Sequence, residues 1–301
     1  MKLRLGARGS ALSLAQAGLV ARSLSVWAEI EIVTVETTGD RLSAQEAPIS
    51  WKGDFTKELD EALLEGRVDF SVHSLKDVPS VLPEGLALSA VPLREDPSDV
   101  LVAHPPRPFS ELPQGARVGT ASPRRKAQLL AARPDLTILE ARGNVDTRIR
   151  RLREGRFEAI VLARAGLARL GRTQEITEVF GQDILLPAVG QGALALVSRS
   201  DAGEVRALLA RVDDADSHAA VLAERSLLET LEAGCRAPVA GRARVEGSQL
   251  HLAAGVFSED GTRILKEEAS GAPSEAIAVG RAAGEKLLAR GAAELIGQRR
   301  P

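Results

Sequence analysis

Short apolar runs of strand length alternate with longer stretches whose apolar positions recur with the period of a helix over most of the chain. This alternation predicts an α/β fold with largely parallel sheets. A second set of elements begins near Asp99, and a strand at 193–197 is positioned to return the chain to the first sheet. The predicted strands are 3–7, 30–35, 68–72, 100–103, 117–119, 136–140 and 159–162, and the predicted helices include 10–22, 55–64, one from Pro123 behind a Ser122 cap, and 144–155.

The pattern changes at about Ala202. Two amphipathic helices end at Gly234, and a last helix starts at Ser274. Between them the chain has short alternating strands, at 242–245, 250–256 and 263–267. Segregation of helices and strands in this way predicts a smaller, separate α+β domain at the C-terminal end.

Composition narrows the classes of protein that fit this pattern. The 301 residues correspond to about two domains by length, and the net charge of -2 lacks the basic excess of most nucleic-acid-binding proteins. With Cys235 as its single cysteine, the chain forms no internal disulfide and suits a reducing cytosol. No stretch of about 18 apolar residues lacks charge. These features predict a cytoplasmic globular protein without nucleic-acid or membrane partners.

The sequence HSLKDVP at 73–79 follows the predicted strand 68–72, where open α/β sheets place ligands. Asp77, beside Lys76, fits a general acid or base, and on spacing alone it also fits a residue that simply caps a turn before Pro79. His73, isolated after a strand, is more typical of a structural residue.

Arg124 and Arg125 are predicted in the first turn of a helix capped by Ser122. Free N–H groups and the hydroxyls of Thr120 and Ser122 favour an anion there. Two cations in a first turn oppose the helix dipole, and a bound polyanion would remove this conflict. A solvated face is the alternative, and it is the preferred interpretation for Arg150, Arg151 and Arg153. Three further arginines follow strands or open helices on the predicted ligand side, namely Arg8, Arg142 and Arg148.

Cys235 lies just beyond a predicted helix end, between Gly234 and Arg236. A neighbouring arginine favours the thiolate, whereas a small buried apolar residue is the commoner role of a lone cysteine. A thiol hydrolase would require a positioned histidine, and none is near in sequence. No cluster of His or Cys indicates a metal site.

Ordered motifs along nearly the whole chain resemble those of the hydroxymethylbilane synthase, or porphobilinogen deaminase, family. They are GARGSALSLAQA at 6–17, TTGD at 37–40, KGDFTKELDEALL at 52–64, HSLKDVP at 73–79, REDPSDV at 94–100, GTASPRRKAQL at 119–129, ARGNVDTRI at 141–149, ARAGLARLG at 163–171, LPAVGQGALAL at 186–196 and EAGCRAPVA at 232–240.

The resemblance implies two domains like those of periplasmic binding proteins around a cleft, and a third domain that carries a cysteine. The corresponding boundaries are 1–92 with 187–208, 93–186, and 209–301. The implied enzyme is a monomeric transferase of tetrapyrrole (heme) biosynthesis. It condenses four porphobilinogen molecules head to tail with loss of ammonia, and hydrolysis then releases linear hydroxymethylbilane.

The resemblance also implies roles for individual residues. Cys235 matches the cysteine that holds a dipyrromethane cofactor through a thioether, and Asp77 matches the catalytic aspartate. The implied cofactor-binding residues are Ser74, Lys76, Thr120, Ser122, Arg124, Arg125 and Arg142. The implied substrate-binding residues are Arg8, Ser10, Gln16, Arg148 and Arg169. Lys52 and Phe55 match a loop over the cleft, where the family often has a Gly-Gly-Lys-Gly run and this chain has APISWKGDF.

Two other classes fit a pair of α/β domains with arginines at helix N-termini. A solute-binding protein would be expected to carry an export signal, which the N-terminal stretch does not resemble. A ligand-sensing regulator would need a basic recognition helix, and the helices between Ala202 and Gly234 show none. Neither class explains Cys235.

Overall fold

The computed structural model of the chain describes residues 1–38, 56–234 and 237–297. It contains two compact units, residues 1–95 with 192–218 (unit 1) and residues 96–191 with 219–301 (unit 2). The division into three domains with the boundaries given above remains a prediction. Within the described ranges, no helix combines the length and apolar character needed to cross a membrane.

The described elements follow one another along the chain as the alternating pattern predicts. They are β1 (Lys2–Ala7), α1 (Ala11–Leu24), β2 (Glu29–Thr34), α2 (Lys57–Leu64), β3 (Phe70–Ser74), β4 (Leu86–Ala90), β5 (Asp99–Ala103), β6 (Arg117–Gly119), α3 (Pro123–Ala132), β7 (Thr137–Leu139), α4 (Val145–Arg153), β8 (Ala159–Ala163), α5 (Arg164–Arg169), β9 (Glu178–Val179), β10 (Leu194–Arg199), α6 (Gly203–Leu209), α7 (Ala215–Thr230), β11 (Val239–Glu246), β12 (Gln249–Phe257), β13 (Ile264–Gly271), α8 (Ala276–Ala289) and α9 (Ala292–Gly297).

Each unit contains a five-stranded sheet, and the two sheets share one pairing pattern: three parallel strands, then an antiparallel strand, then an edge strand antiparallel to that one. In unit 1 the order is β2-β1-β3-β10-β4, with β1 parallel to β2 and β3, and β10 antiparallel to β3 and β4. In unit 2 the order is β7-β6-β8-β5-β9, with β6 parallel to β7 and β8, and β5 antiparallel to β8 and β9. The predicted α/β class is therefore confirmed, as is the return of the strand near 193–197 to the first sheet.

Burial explains why these apolar runs form sheet interiors. All five residues of β5 are buried, which is typical of a strand covered on both faces. In unit 1, Leu5, Phe70 and Leu196 from neighbouring strands share one core with Leu24 of α1. The parallel pairing of β1 with β3 brings the carboxyl ends of both strands to the same edge of the sheet.

The C-terminal part of unit 2 is the predicted α+β domain. Its sheet has the order β11-β12-β13, and it packs on α7, α8 and α9 through a shared apolar core. Its loop between β12 and β13 lies against α3. A Cβ on Gly261, which has φ +74°, would lie 2.4 Å from the carbonyl oxygen of Ala127 and 2.6 Å from the nitrogen of Ala131. Only glycine fits this contact between the C-terminal domain and α3.

The third strand differs from its predicted position, 68–72. The chain before it is fixed by Asp69, whose carboxylate accepts hydrogen bonds from the Arg4 backbone N–H at 2.7 Å and Arg4 Nη2 at 2.9 Å. The strand then continues through Ser71 and His73. Both polar side chains can be buried because Ser71 Oγ and His73 Nε2 form a hydrogen bond of 2.8 Å. Strand β3 therefore ends at Ser74, and a 3₁₀ turn, Leu75–Asp77, follows it.

Candidate functional site

Unit 1 has a pocket at the carboxyl edge of its sheet, which we call the Asp77 half-site. It combines residues distant in sequence because β1, β3 and the start of α1 meet at this edge. The pocket is lined by Arg8, Ser10, Leu12, Ser13, Gln16, Val72, His73, Ser74 and Asp77.

Hydrogen bonds fix the walls of the Asp77 half-site. Ser10 caps α1 by accepting the N–H of Ser13 at 3.3 Å, and Ser13 Oγ accepts the N–H of Arg8 at 3.0 Å. Gln16 is buried, and its Nε2 donates to Ser74 Oγ at 2.8 Å. This bond ties α1 to the end of β3, so the polar groups around the pocket are held in place before a ligand binds.

Asp77 and His73 differ in exposure and in charge. Asp77 is exposed at the end of the 3₁₀ turn, and its carboxylate has no hydrogen bond or ion pair within the described residues. His73 is buried, and burial, aided by the charge of Arg8, lowers its pKa to about 4. The histidine is therefore neutral near pH 7, which agrees with its predicted structural role, whereas Asp77 is free to meet a ligand.

Unit 2 carries polar groups at the corresponding edge of its sheet, where β6 leads into α3. Thr120 Oγ1 accepts the N–H of Ser122 at 3.1 Å, and Ser122 Oγ accepts the N–H of Arg125 at 3.4 Å. The predicted cap and the predicted Pro123 at the first helical position are both present. The first turn of α3 thus points its N–H groups toward this edge.

Arg124 and Arg125 are only 3% and 6% exposed, and they share Asp99, which is fully buried. Arg125 donates to Asp99 Oδ1 through Nε at 2.9 Å and Nη2 at 2.7 Å, and through Nη1 to the carbonyl of Val161 at 2.9 Å. Arg124 Nη1 donates to Asp99 Oδ2 at 2.7 Å and to the carbonyl of Leu186 at 2.6 Å. Burial alone would raise the pKa of Asp99, but the two arginines outweigh it and hold that pKa well below its usual range.

A fourth residue completes this group, which we call the buried arginine cluster (Asp99, Arg124, Arg125 and Gln191). Gln191 Nε2 donates to Asp99 Oδ1 at 2.9 Å and to the carbonyl of Pro97 at 2.6 Å. The sequence predicts a bound polyanion to offset the two cations that oppose the helix dipole. In the structure, the internal carboxylate of Asp99 already offsets part of this positive charge. Asp99 balances one of the two guanidinium charges, and Arg124 Nε is buried without a hydrogen-bond partner among the described residues.

The other predicted arginines lie on nearby segments of unit 2. Arg148 Nε donates to the carbonyl of Gly143 at 2.7 Å, and half-buried Arg142 pairs with Glu140 at 2.7 Å. Arg169 ends α5 and is half-buried. The solvated-face interpretation holds for Arg150 and Arg153, which are exposed. It is wrong for Arg151, which is buried and donates to the carbonyl of Arg142 at 3.2 Å, where it supports the loop before α4.

The structure brings the predicted residues into separate groups. Arg8, Ser10, Gln16, Ser74 and Asp77 meet in unit 1, with Lys76 adjacent, and Thr120, Ser122, Arg124 and Arg125 meet in unit 2. Lys52, Phe55 and Cys235 lie outside the described residues.

Sequence reasoning missed Asp99, Gln191 and Glu224. Glu224 is fully buried, and it accepts the N–H of Gly190 at 2.6 Å and of Ala243 at 2.7 Å. In the sequence, the signal for Asp99 is an ionisable residue directly before an apolar run.

Among the described residues, no group of three or more His, Cys, Asp and Glu is arranged to hold a metal ion.

The two sheets share one pairing pattern, and polar groups lie at the carboxyl edge of each: a free carboxylate in unit 1 and fixed arginines in unit 2. These features define an α/β protein equipped for a carboxylate-rich ligand. Residues 3–207 match the model of the porphobilinogen deaminase dipyrromethane cofactor binding domain, and residues 218–289 match that of the porphobilinogen deaminase C-terminal domain. The porphobilinogen deaminase of Syntrophobacter fumaroxidans is 46% identical over 298 residues, 98% of this chain and 96% of that protein. That of Geobacter sulfurreducens is 45% identical over 301 residues, 99% of this chain and 94% of that protein.

The chain therefore belongs to the porphobilinogen deaminase family. The predicted family and the predicted hydroxymethylbilane synthase activity, a transferase reaction on porphobilinogen, are confirmed, and the solute-binding and regulator alternatives are set aside.

Similarity to solved structures is weaker than similarity to these relatives in sequence. The periplasmic VFT2 domain of BvgS from Bordetella pertussis is 16% identical with a TM-score of 0.42, covering 70% of this chain and 86% of that chain. The OxyR2 regulatory domain from Vibrio vulnificus is 14% identical with a TM-score of 0.40, covering 70% of this chain and 96% of that chain.

Proposed function

We propose that Asp77 is the catalytic carboxylate of the reaction in which four porphobilinogen molecules condense head to tail and hydrolysis releases linear hydroxymethylbilane. The observation that carries this assignment is the exposed Asp77 carboxylate, free of partners among the described residues, at a pocket whose walls are fixed by hydrogen bonds. A carboxylate in this position stabilises positive charge on a pyrrole nitrogen and assists proton transfer as ammonia leaves.

The neighbours of Asp77 suit this role. His73 is neutral, so it adds no positive charge that would compete with a pyrrole nitrogen for the Asp77 carboxylate. Arg8 lines the same pocket, and its guanidinium is a suitable partner for the acetate or propionate of a substrate ring. Ser10 and Gln16 supply further polar groups on α1. We propose that Arg8, Ser10 and Gln16, with Arg148 and Arg169, bind substrate.

The buried arginine cluster and its surroundings fit a dipyrromethane cofactor, whose two rings carry acetate and propionate groups. The fit rests on the uncompensated positive charge and on the buried, unpartnered Nε of Arg124. The residues that would hold the cofactor are Ser74, Lys76, Thr120, Ser122, Arg124, Arg125 and Arg142. When bound, the cofactor supplies the pyrrole carbon to which the first substrate unit is joined.

We propose that the cofactor is attached covalently to Cys235 through a thioether. Cys235 is the single cysteine of the chain, so no disulfide competes for its thiol. It follows α7 after Gly234, in the part of the chain that we assign to a third domain, 209–301. The domain formed by residues 1–92 with 187–208 would carry the catalytic aspartate. The domain formed by residues 93–186 would carry the two arginines of the buried arginine cluster.

We further propose that the protein acts as a monomer in the cytoplasm and binds no nucleic acid. A thiol that must stay available for thioether formation is best kept in a reducing compartment, and the net charge of -2 offers little attraction for a polyanionic strand.

Asp77→Asn tests the catalytic assignment, because the amide keeps the shape of the side chain and removes its charge. We expect the fold and the covalent cofactor to persist and turnover to fall by about 10²-fold or more. Asp201→Asn is the control, since Asp201 is an exposed aspartate of the same unit, with its side chain 83% accessible. Turnover by Asp77→Asn within about threefold of the control would contradict the assignment.

A further inference from the structure

The buried arginine cluster contains two guanidinium groups and one carboxylate. Asp99 is fully buried, and Arg124 and Arg125 are at least nine-tenths buried. A buried cation whose charge is only partly balanced is unfavourable. The unpartnered Nε of Arg124 is a separate sign of an incomplete site, because buried donors are nearly always satisfied. Both observations indicate one more negative group at this place.

Both oxygens of the Asp99 carboxylate are already engaged within the cluster, and a carboxylate has no proton to donate to a ligand anion. Asp99 Oδ1 accepts three hydrogen bonds, from Arg125 Nε, Arg125 Nη2 and Gln191 Nε2, and its Oδ2 accepts Arg124 Nη1. Its backbone is held in β5, where it pairs with Ala163 of β8. A ligand anion therefore adds to the cluster and does not replace Asp99.

We propose that Asp99 is a positioning residue which presets the Arg124–Arg125 pair to receive a single carboxylate of the cofactor. It fixes both guanidinium groups, and it reduces the charge that the ligand has to balance from two to one. Gln191, which is distant in sequence, donates to the Asp99 carboxylate and to the carbonyl of Pro97. The orientation of the Arg124–Arg125 pair therefore depends on residues 97–99 and 191 as well as on α3. This inference rests on the proposed cofactor site.

A charge series in the full chain, produced without porphobilinogen, tests the proposal. Asp99→Asn raises the cluster charge by one, Arg125→Gln lowers it by one, and the double variant restores the original charge. We expect Asp99→Asn to melt roughly 10 °C below the unsubstituted protein and the double variant to regain most of that loss. Sodium sulfate should raise the melting temperature most in Asp99→Asn, less in the unsubstituted protein and least in Arg125→Gln.

Asp96→Asn is the matched control, because Asp96 lies in the same segment and pairs with Arg164 at a more exposed position. We expect its melting temperature and its response to sulfate to stay near those of the unsubstituted protein. General salt effects are shared by all variants and cancel in the comparison.

A second measurement separates positioning from stability. Folded Asp99→Asn, held about 10 °C below its own melting temperature, is given saturating porphobilinogen, and cofactor gain is followed by intact mass. We expect the gain to be about tenfold slower than in the unsubstituted protein and in Asp96→Asn, because the single amide oxygen of asparagine can hold only one of the two guanidinium groups in place.

Three results would overturn the role of Asp99: equal melting temperatures of Asp99→Asn and Asp96→Asn, the same sulfate response in every variant, or cofactor gain at the unsubstituted rate. If the unsubstituted protein gains no pyrrole mass at all, the proposed cofactor site is wrong, and the sulfate series still decides whether Asp99 sets the charge of the cluster.

Discussion

The Asp77 half-site and the buried arginine cluster lie at the carboxyl edges of two sheets with the same pairing pattern, and the two sites differ in where they keep their charges. In the Asp77 half-site the buried polar side chains are neutral, as for Gln16 and His73, and the carboxylate of Asp77 is exposed. In unit 2 the ions are buried together, and an internal aspartate holds two arginines.

This difference shows that one pattern of strand pairing supports two kinds of chemistry. A carboxylate that stabilises transient positive charge is most useful when it forms no ion pair with a resident cation. Cations that bind ligand carboxylates are most useful when they are already fixed, because less conformational entropy is lost on binding. The sheet supplies the edge, and the residues at the strand and helix ends determine which of the two roles that edge takes.

Acid sensitivity should distinguish the two regions. The pKa of His73 is about 4 in the folded chain and 6.5 in the unfolded chain. The unfolded state therefore binds more protons between these values, so this histidine lowers the free energy of unfolding by about 3 kcal/mol as the pH falls from above 6.5 to below 4. Asp99 has a lowered pKa, so its contribution is lost only below pH 3.8.

Denaturant unfolding of the unsubstituted protein and of His73→Gln, compared from pH 7 to pH 4, measures this contribution. The difference is needed because Asp60, whose pKa burial raises to about 6, makes the folded state more stable as pH falls in the same window. We expect the variant to lose the His73 part of the pH dependence. Identical pH profiles for the two proteins would show that His73 titrates normally.

The contact between the C-terminal domain and α3 gives a second, smaller effect, confined to unit 2. Gly261 and Gly247 both have positive φ, +74° and +61°, but a Cβ at Gly247 has no atom within 4 Å. Gly261→Ala should therefore destabilise the protein by about 2 kcal/mol more than Gly247→Ala, because only the first also collides with backbone. Chemical denaturation of both variants measures the difference, and equal losses would mean that the loop moves away from α3 without cost.

The proposed role of Arg148 in substrate binding gives a third prediction, with an effect of about tenfold on turnover. Replacing Arg148 by leucine removes a partner for ring carboxylates, so enzyme carrying one to three extra pyrroles should accumulate and appear as a ladder of masses. Arg150→Leu is the matched control, since Arg150 lies two residues further along α4 in an exposed pair with Glu154. A ladder in both variants, or in neither, would contradict the assignment of Arg148.

Local signals in the sequence predicted the elements that present the site. Ser122 and Pro123 identified the start of α3, and Ser10 identified the start of α1, because caps act through neighbouring backbone groups. The edge strands β4 and β9 were not predicted, since they are defined by pairing with β10 and β5, which are distant in sequence.

Long-range partners explain what the sequence could not reveal about the site. Asp99 meets Arg124 and Arg125 across 25 and 26 residues, and Gln191 across 92. Whether an arginine is solvated or buried depends on tertiary packing, as Arg151 shows by being buried within α4. His73 is likewise buried in β3, which pairs with β10 from a distant part of the sequence, with Ala195 opposite His73.

The intact mass of the purified protein tests the central claim most directly. A covalent dipyrromethane on Cys235 adds two pyrrole units to the mass of the sequence, and the added mass should map to the peptide that contains Cys235. It should survive disulfide reductants, because a thioether is not a disulfide, and it should be absent from Cys235→Ala and from protein produced without porphobilinogen. Fully active protein with an unmodified Cys235 would contradict both the attachment and the role proposed for the cofactor.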